Sequence, residues 1–180
     1  MSSPDRTSCG FTLVELLLAM ALGLLVSGVA VQLLLGEARS SGALARHFQL
    51  RGWQRRTLAL VRDDLDRSAS WSIRPEPTAA WPCALAGRQP QLAIQPRNGD
   101  QPVLYSIGDA PSAIWRSPVL MRCGPAFDLN GRPSGGLYQN RVVLDGVDRF
   151  SVQEHPQLPV LLLELEQHRG DQVIRSSAVG

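Results

Sequence analysis

One carboxylate stands alone in the most apolar stretch of the chain. From Phe11 to Leu35, 25 residues carry a single charge, Glu15, and only three other polar side chains, Thr12, Ser27 and Gln32. A carboxylate in hydrocarbon costs roughly 3 kcal/mol or more, so Glu15 calls for a partner. Cysteine supplies the second chemistry. Cys9 precedes the apolar run, whereas Cys83 and Cys123 lie well beyond it. If that later part faces an oxidising compartment, Cys83 and Cys123 can pair. Bridging their loop of about forty residues would contribute roughly 3–4 kcal/mol. Two separate buried thiols are the alternative.

Other constellations are thin. His47, His155 and His168 are scattered without ligand spacing, so no metal site is expected. No Gly-x-Ser-x-Gly elbow, phosphate-binding loop or recognisable carboxylate pair occurs. Asp63, Asp64 and Asp66 cluster on helical sequence and read as a solvated or capping face. Asp128-Leu129-Asn130-Gly131 superficially resembles the start of a calcium loop, but the glycine and terminal glutamate of that loop do not follow. These residues point away from an enzyme, and no cofactor is expected.

The elements that must position Glu15 and the cysteines follow from patterning. A helix over residues 11–35 reaches roughly 37 Å at about 1.5 Å per residue, enough to span a hydrocarbon core of about 30 Å. A secretory signal cut near Ala19–Gly28 is the competing reading. Against it, the run is long and amphipathic helical sequence follows without a break. Helical spacing continues to about Ser68 through Leu44, Phe48, Leu50, Trp53, Leu58, Val61 and Leu65. Arg62–Asp66 and Asp63–Arg67 are candidate i,i+4 pairs. Gly36, Ser40, Ser41 and Gly42 favour a bend.

Trp71 to Ala86, with Pro75, Pro77 and Pro82, reads as loop. Alternation then takes over. Leu92 and Ile94, the Asn98-Gly99 turn signal, and Val103, Tyr105 and Ile107 predict a hairpin. Ile114–Arg116 with Val119–Met121 predict a third strand ending near Cys123. Val142–Leu144, Phe150–Val152, Pro159–Glu166 and Val173–Ile174 complete the expected sheet, with an Asp145-Gly146 turn. The fold class is therefore α+β: a long N-terminal helix packed on a mainly antiparallel β-sheet domain.

Gly10-Phe11-Thr12-Leu13-Val14-Glu15-Leu16-Leu17-Leu18-Ala19-Met20 closely resembles the N-terminal signal of type IV pilins and pseudopilins. The resemblance implies a leader, residues 1–10, removed between Gly10 and Phe11 by a prepilin peptidase that then methylates the Phe11 amine. It implies that Glu15, fifth in the mature chain, pairs with the amine of a neighbouring subunit during assembly. Cys9 leaves with the leader. The implied organisation is a transmembrane helix over 11–35, an amphipathic continuation over 36–70 and a periplasmic β-rich domain over 71–180. More loosely, Leu60-Val61-Arg62-Asp63-Asp64-Leu65 before a β-domain resembles J-type minor pseudopilins and W-type minor pilins.

The expected function is that of a minor pilin or pseudopilin in a type IV pilus or a type II secretion pseudopilus. The implied partners are the prepilin peptidase, other major and minor pilins or pseudopilins, an inner-membrane assembly platform and the lipid bilayer. Two other readings are a pilus-tip binding module, either adhesin or DNA-uptake pilin, and a plain single-pass anchored domain. The face at Arg51, Arg55 and Arg56 is the one feature that admits nucleic acid, and a net charge of +2 does not support it. All 18 basic residues are arginine. Their distribution conflicts with the implied topology: Arg39, Arg46, Arg51 and Arg55 follow the span, whereas Arg6 in the leader is offset by Asp5. The positive-inside rule would leave the C-terminal part cytoplasmic; the resemblance implies the reverse.

Overall fold

The computed structural model describes residues 12–78, 81–128, 133–169 and 172–180. One helix, α1 (Leu13–Asp66), is followed by β1 (Ser68–Ile73), β2 (Gln89–Pro96), β3 (Val103–Gly108), β4 (Val119–Phe127), β5 (Pro133–Asp145), β6 (Val147–Glu154), β7 (Leu161–Arg169) and β8 (Gln172–Val179). The architecture is α+β, as the patterning predicts. Two compact units divide between His47 and Phe48. The first holds the apolar half of α1, and its helical assignment runs through Gly36 and Gly42 without interruption. The second holds the rest of α1 and all eight strands.

Its strands form two sheets, where a single one was expected. β1 to β5 make an antiparallel meander in sequence order, and β6 to β8 make a second. The divide falls at Asp145-Gly146. Instead of closing a hairpin, the chain leaves the first sheet there, and the Gly146 and Val147 amides donate to the carbonyls of Arg116 and Pro118. The Asn98-Gly99 hairpin forms as predicted, with Ile94 opposite Val103. Two boundaries differ. Trp71–Ile73, read as loop, belongs to β1, whose outward row pattern is mostly exposed and so lacks an alternation signal. Ile114–Arg116, read as strand, lies in turns before β4, and Ile114 is exposed.

The core joins the helix to both sheets. Leu58, Val61 and Leu65 meet Leu92, Ile94, Tyr105, Leu120 and Leu144 from the first sheet, and Phe150, Leu161, Leu163 and Leu165 from the second. At 100° per residue, Leu50, Gln54, Thr57, Leu58, Val61, Asp64 and Leu65 fall on one face and are buried. Phe48 and Trp53 lie out of phase with it and stay exposed, so the apolar stripe is narrower than the sequence suggests.

Polar side chains on that face dock the helix. Gln54 Nε2 donates to the Ile174 carbonyl at 3.0 Å and its Oε1 accepts from Ser176 Oγ at 2.6 Å, fixing β8. Thr57 Oγ1 donates to the Val143 carbonyl on β5. Asp64 corrects the expectation of a solvated acidic face. Its Oδ2 accepts from Tyr105 OH at 2.6 Å and Arg122 Nε at 2.7 Å, and its Oδ1 from Arg122 Nη2 at 2.9 Å. Arg122 Nη1 donates to the Pro125 carbonyl, and the guanidinium lies 4.7 Å from the Phe127 ring centroid. Gly124 makes room for this, since a Cβ there would sit 2.6 Å from Arg122 Nη1.

Asp63 remains outside and pairs with Arg67 as predicted. The Arg62–Asp66 pair does not form among the described residues; the Arg62 stem instead lies near Gly180. Arg67 Nε also donates to the Asp63 carbonyl, and the Arg97 amide to that of Arg67, satisfying carbonyls at the end of α1.

Burial pushes the Tyr105 phenol well above its ordinary 10.0, and the Asp64 carboxylate adds to the rise. Burial alone would lower Arg122, but its bonds to Asp64 raise it. Breaking a buried pair leaves an uncompensated charge. Asp64→Ala should therefore cost about 3–5 kcal/mol in denaturant unfolding of the detergent-solubilised chain, and Asp64→Leu with Arg122→Met should recover most of it. Tyr105 gives a pH prediction with a defined sign. The folded state keeps the phenolic proton where the unfolded state loses it, so this contribution is complete below pH 10.0 and lost as pH rises through the folded value. The chain has two tyrosines and no lysine, and Tyr138 is raised too, first by burial. Tyrosinate absorbance should thus show neither phenol half-ionised at pH 10.0 in native protein and both in denaturant. Two phenols titrating there in the folded chain would contradict the buried network.

Candidate functional site

Thr12 and Glu15 close the start of α1 on each other. Thr12 precedes the first helical residue and Glu15 lies in the first turn. Glu15 Oε2 accepts from the Thr12 amide at 3.0 Å and from Thr12 Oγ1 at 2.9 Å. The Glu15 amide in turn donates to Thr12 Oγ1 at 3.3 Å. This is the reciprocal capping box, in which Thr-x-x-Glu satisfies helix amides that otherwise have no partner. A negative group in the first turn also suits the positive end of the helix dipole. The Thr12–Glu15 spacing is a helix-start signal in the sequence, additional to the isolated charge of Glu15.

The box changes what Glu15 can do. One oxygen, Oε2, is committed to the cap, while Oε1 takes no hydrogen bond among the described residues. The carboxylate is therefore held in a defined rotamer with one oxygen available to an outside donor. Behind it, Leu13–Leu35 forms a 23-residue helix long and apolar enough to cross a membrane, and its side chains are exposed throughout. Gly10 and Phe11, the expected processing residues, lie outside the described residues. So do Cys9 and most of the calcium-like segment, residues 129–132.

The remaining singled-out residues sit in the β-rich unit. Cys83 and Cys123 are joined by a disulfide with Cα atoms 6.0 Å apart. It ties the proline-rich segment after β1 to β4, and Asn140 Nδ2 adds a bond to the Ala84 carbonyl at 3.0 Å. His168 pairs with Asp148, and His155 Nδ1 accepts from the Gln157 amide. Among the described residues no cluster of His, Cys, Asp and Glu forms a metal-binding group. Arg51, Arg55 and Arg62 border a groove with Ser176 and Ser177 and are exposed. The structure thus brings Thr12 to Glu15 and Cys83 to Cys123, and leaves the histidines apart.

Residues 5–31 match the model of the prokaryotic N-terminal methylation motif. No curated protein and no solved structure matches the chain. The match ends inside the apolar helix, and it includes Thr12, Glu15 and most of the candidate span. The chain therefore carries, at the head of an apolar helix and ahead of an α+β domain, the N-terminal methylation motif characteristic of type IV pilin and pseudopilin precursors.

Proposed function

We propose that the chain is a minor pilin or pseudopilin subunit, cut between Gly10 and Phe11 by a prepilin peptidase and methylated on the new amine. The observation that carries this reading is the methylation motif over residues 5–31 coinciding with a capped, spanning-length helix. In the precursor, Glu15 rests on Thr12. After cleavage, the free oxygen of Glu15 can accept from the charged amine of Phe11 on a neighbouring subunit. Pairing neutralises a charge that is costly in hydrocarbon, and because both groups sit at fixed helix positions it sets the axial register between subunits.

In this reading the chain is held in the bacterial inner membrane with residues 48–180 on the periplasmic side, and then enters a pilus or pseudopilus at low abundance, as a priming or tip subunit. Its partners are the peptidase, other major and minor subunits, the inner-membrane assembly platform and the bilayer. The Cys83–Cys123 disulfide supports the orientation, because such bonds persist in oxidising compartments and not in the cytoplasm. It weighs against the arginine bias after the span. The role is structural, and the paired Asp64 and scattered histidines offer no constellation for catalysis.

Three variants and one thiol count test the reading. Gly10→Val should block processing. Glu15→Ala should leave membrane insertion intact and reduce filament incorporation by about tenfold or more, since loss of a buried pairing is worth a few kcal/mol. Glu15→Gln keeps a capping residue while removing the charge, so it should fail in assembly as Glu15→Ala does; normal incorporation of Glu15→Gln would refute charge pairing. With leader and disulfide as described, the mature chain exposes no free thiol to an alkylating reagent after denaturation without reductant, and the precursor exposes Cys9 alone. Labelling of Cys83 and Cys123 in chains from native membranes would refute the periplasmic orientation.

A further inference from the structure

The two sheets end on β1 and β5 in the first and on β6 and β8 in the second. An open edge presents a row of unpaired N–H and C=O groups, which native proteins blunt with bulges, prolines or charges. The pairings of β1, β5 and β6 each contain a register shift, and that of β8 with β7 contains none. β8 also holds no proline. Its edge groups follow from the ladder. Leu161 and Gly180 exchange both backbone bonds, at 2.7 and 3.0 Å. In an antiparallel pair every second position does the same. Ala178, Ser176 and Ile174 therefore bond to β7, and Val179, Ser177, Arg175 and Val173 direct N–H and C=O outward. Among the described residues none of these outward backbone groups takes a hydrogen bond. α1 holds β8 elsewhere, through Gln54 to the Ile174 carbonyl and to Ser176 Oγ.

A groove of about 450 Å³ runs along this edge. Arg175, Ser176, Ser177 and Ala178 all line it. Successive side chains point to opposite faces of a sheet, so only a groove at the edge meets four in a row. α1 supplies the other wall, with Leu58 and the three arginines Arg51, Arg55 and Arg62. At 100° per residue those arginines fall within about 40° of one another, a single basic stripe beside the edge. Arg175 is tied to Glu166, and the Arg62 stem lies against Gly180. Arg51 and Arg55 are exposed and have no acidic partner among the described residues. No acidic side chain among the described residues lines the groove. The one edge charge that could deter an added strand, Arg175, is thus already paired, and exposed Val173 and Val179 flank it in the outward row.

We propose that β8 takes an extended acidic segment of a partner protein as a fourth strand of its sheet. Main-chain bonds to Val173, Arg175, Ser177 and Val179 supply affinity, and acidic side chains on the α1 side meet Arg51 and Arg55. A second copy fits less well, because antiparallel β8–β8 pairing puts two arginine stripes on one face. Nucleic acid would use the arginines and leave the strand edge unpaired. The inference is independent of the assembly role proposed for Glu15.

Its test is fluorescence anisotropy of the full chain in detergent with a labelled, end-capped peptide of alternating Glu and Val that matches the eight residues of β8. The peptide should bind, and its counterpart with Lys for Glu should not. Directly opposed residues share a face, so with the glutamates toward α1 the valine amides face β8. N-methylation of those amides should weaken binding by at least about tenfold, as should Arg51→Ala combined with Arg55→Ala. Ser177→Pro removes an outward N–H that an edge strand can spare, and should cost at least about threefold in affinity with the unfolding midpoint unchanged. If Ser177→Pro fails to fold, the methylated peptide decides. No binding of the acidic peptide, equal binding of the lysine or methylated peptide, or full affinity in the folded variants would each overturn the proposal. So would tighter binding of a labelled oligonucleotide, or self-association that the peptide fails to displace.

Discussion

The β-rich unit depends on a single carboxylate at the end of its helix. Asp64 is held by the Arg122 fork and the Tyr105 hydroxyl, and through them α1 is fixed to β3 and β4. An apolar contact at this position would resist separation but not rotation or sliding. Three charge-assisted bonds with fixed directions admit one register, and leaving any partner unpaired in the interior would be expensive. Gln54 and Thr57 repeat the device toward β8 and β5.

β4 divides the unit through the period of a strand. Leu120, Arg122 and Gly124 turn toward α1, where the core and the Asp64 network lie. Met121 and Cys123 turn to the opposite face, where the disulfide fastens the proline-rich segment and Met121 lines an open cavity with Arg88. That is why Val119 to Gly124 are buried without a break, and why the stretch carries no alternation. The two faces hold two kinds of buried arginine. Arg122 is paired with Asp64, whereas Arg88 Nε has no hydrogen-bond partner among the described residues.

Where periodicity or turn chemistry is local, the sequence was sufficient. The long apolar helix, the Asn98-Gly99 hairpin and the α+β class follow from patterns over a few residues. What was hidden depends on contacts far apart in the chain. Asp64 sits beside Asp63 and Asp66 and looks like them; only the register of Tyr105 against Arg122, some 41 and 58 residues away, makes it a buried anchor. The switch of sheets at Gly146 is likewise set by bonds to Arg116 and Pro118 and not by the turn residues themselves. The burial of Arg88 has no sequence signal, since a lone arginine before a strand belongs to no motif. The capping box was the opposite case, fully written in Thr12 and Glu15, and it turned an awkward charge into a group already held by its own helix.

Glu15, its cap and the apolar helix have meaning as an assembly device only if the signal before them is used. Intact-mass spectrometry of the chain purified from its native membrane tests that most directly. The predicted result is a chain lacking residues 1–10 and beginning at Phe11 with one methyl group on its amine. A chain that retains Met1 and the whole leader while its filament or secretion machine is active would contradict it.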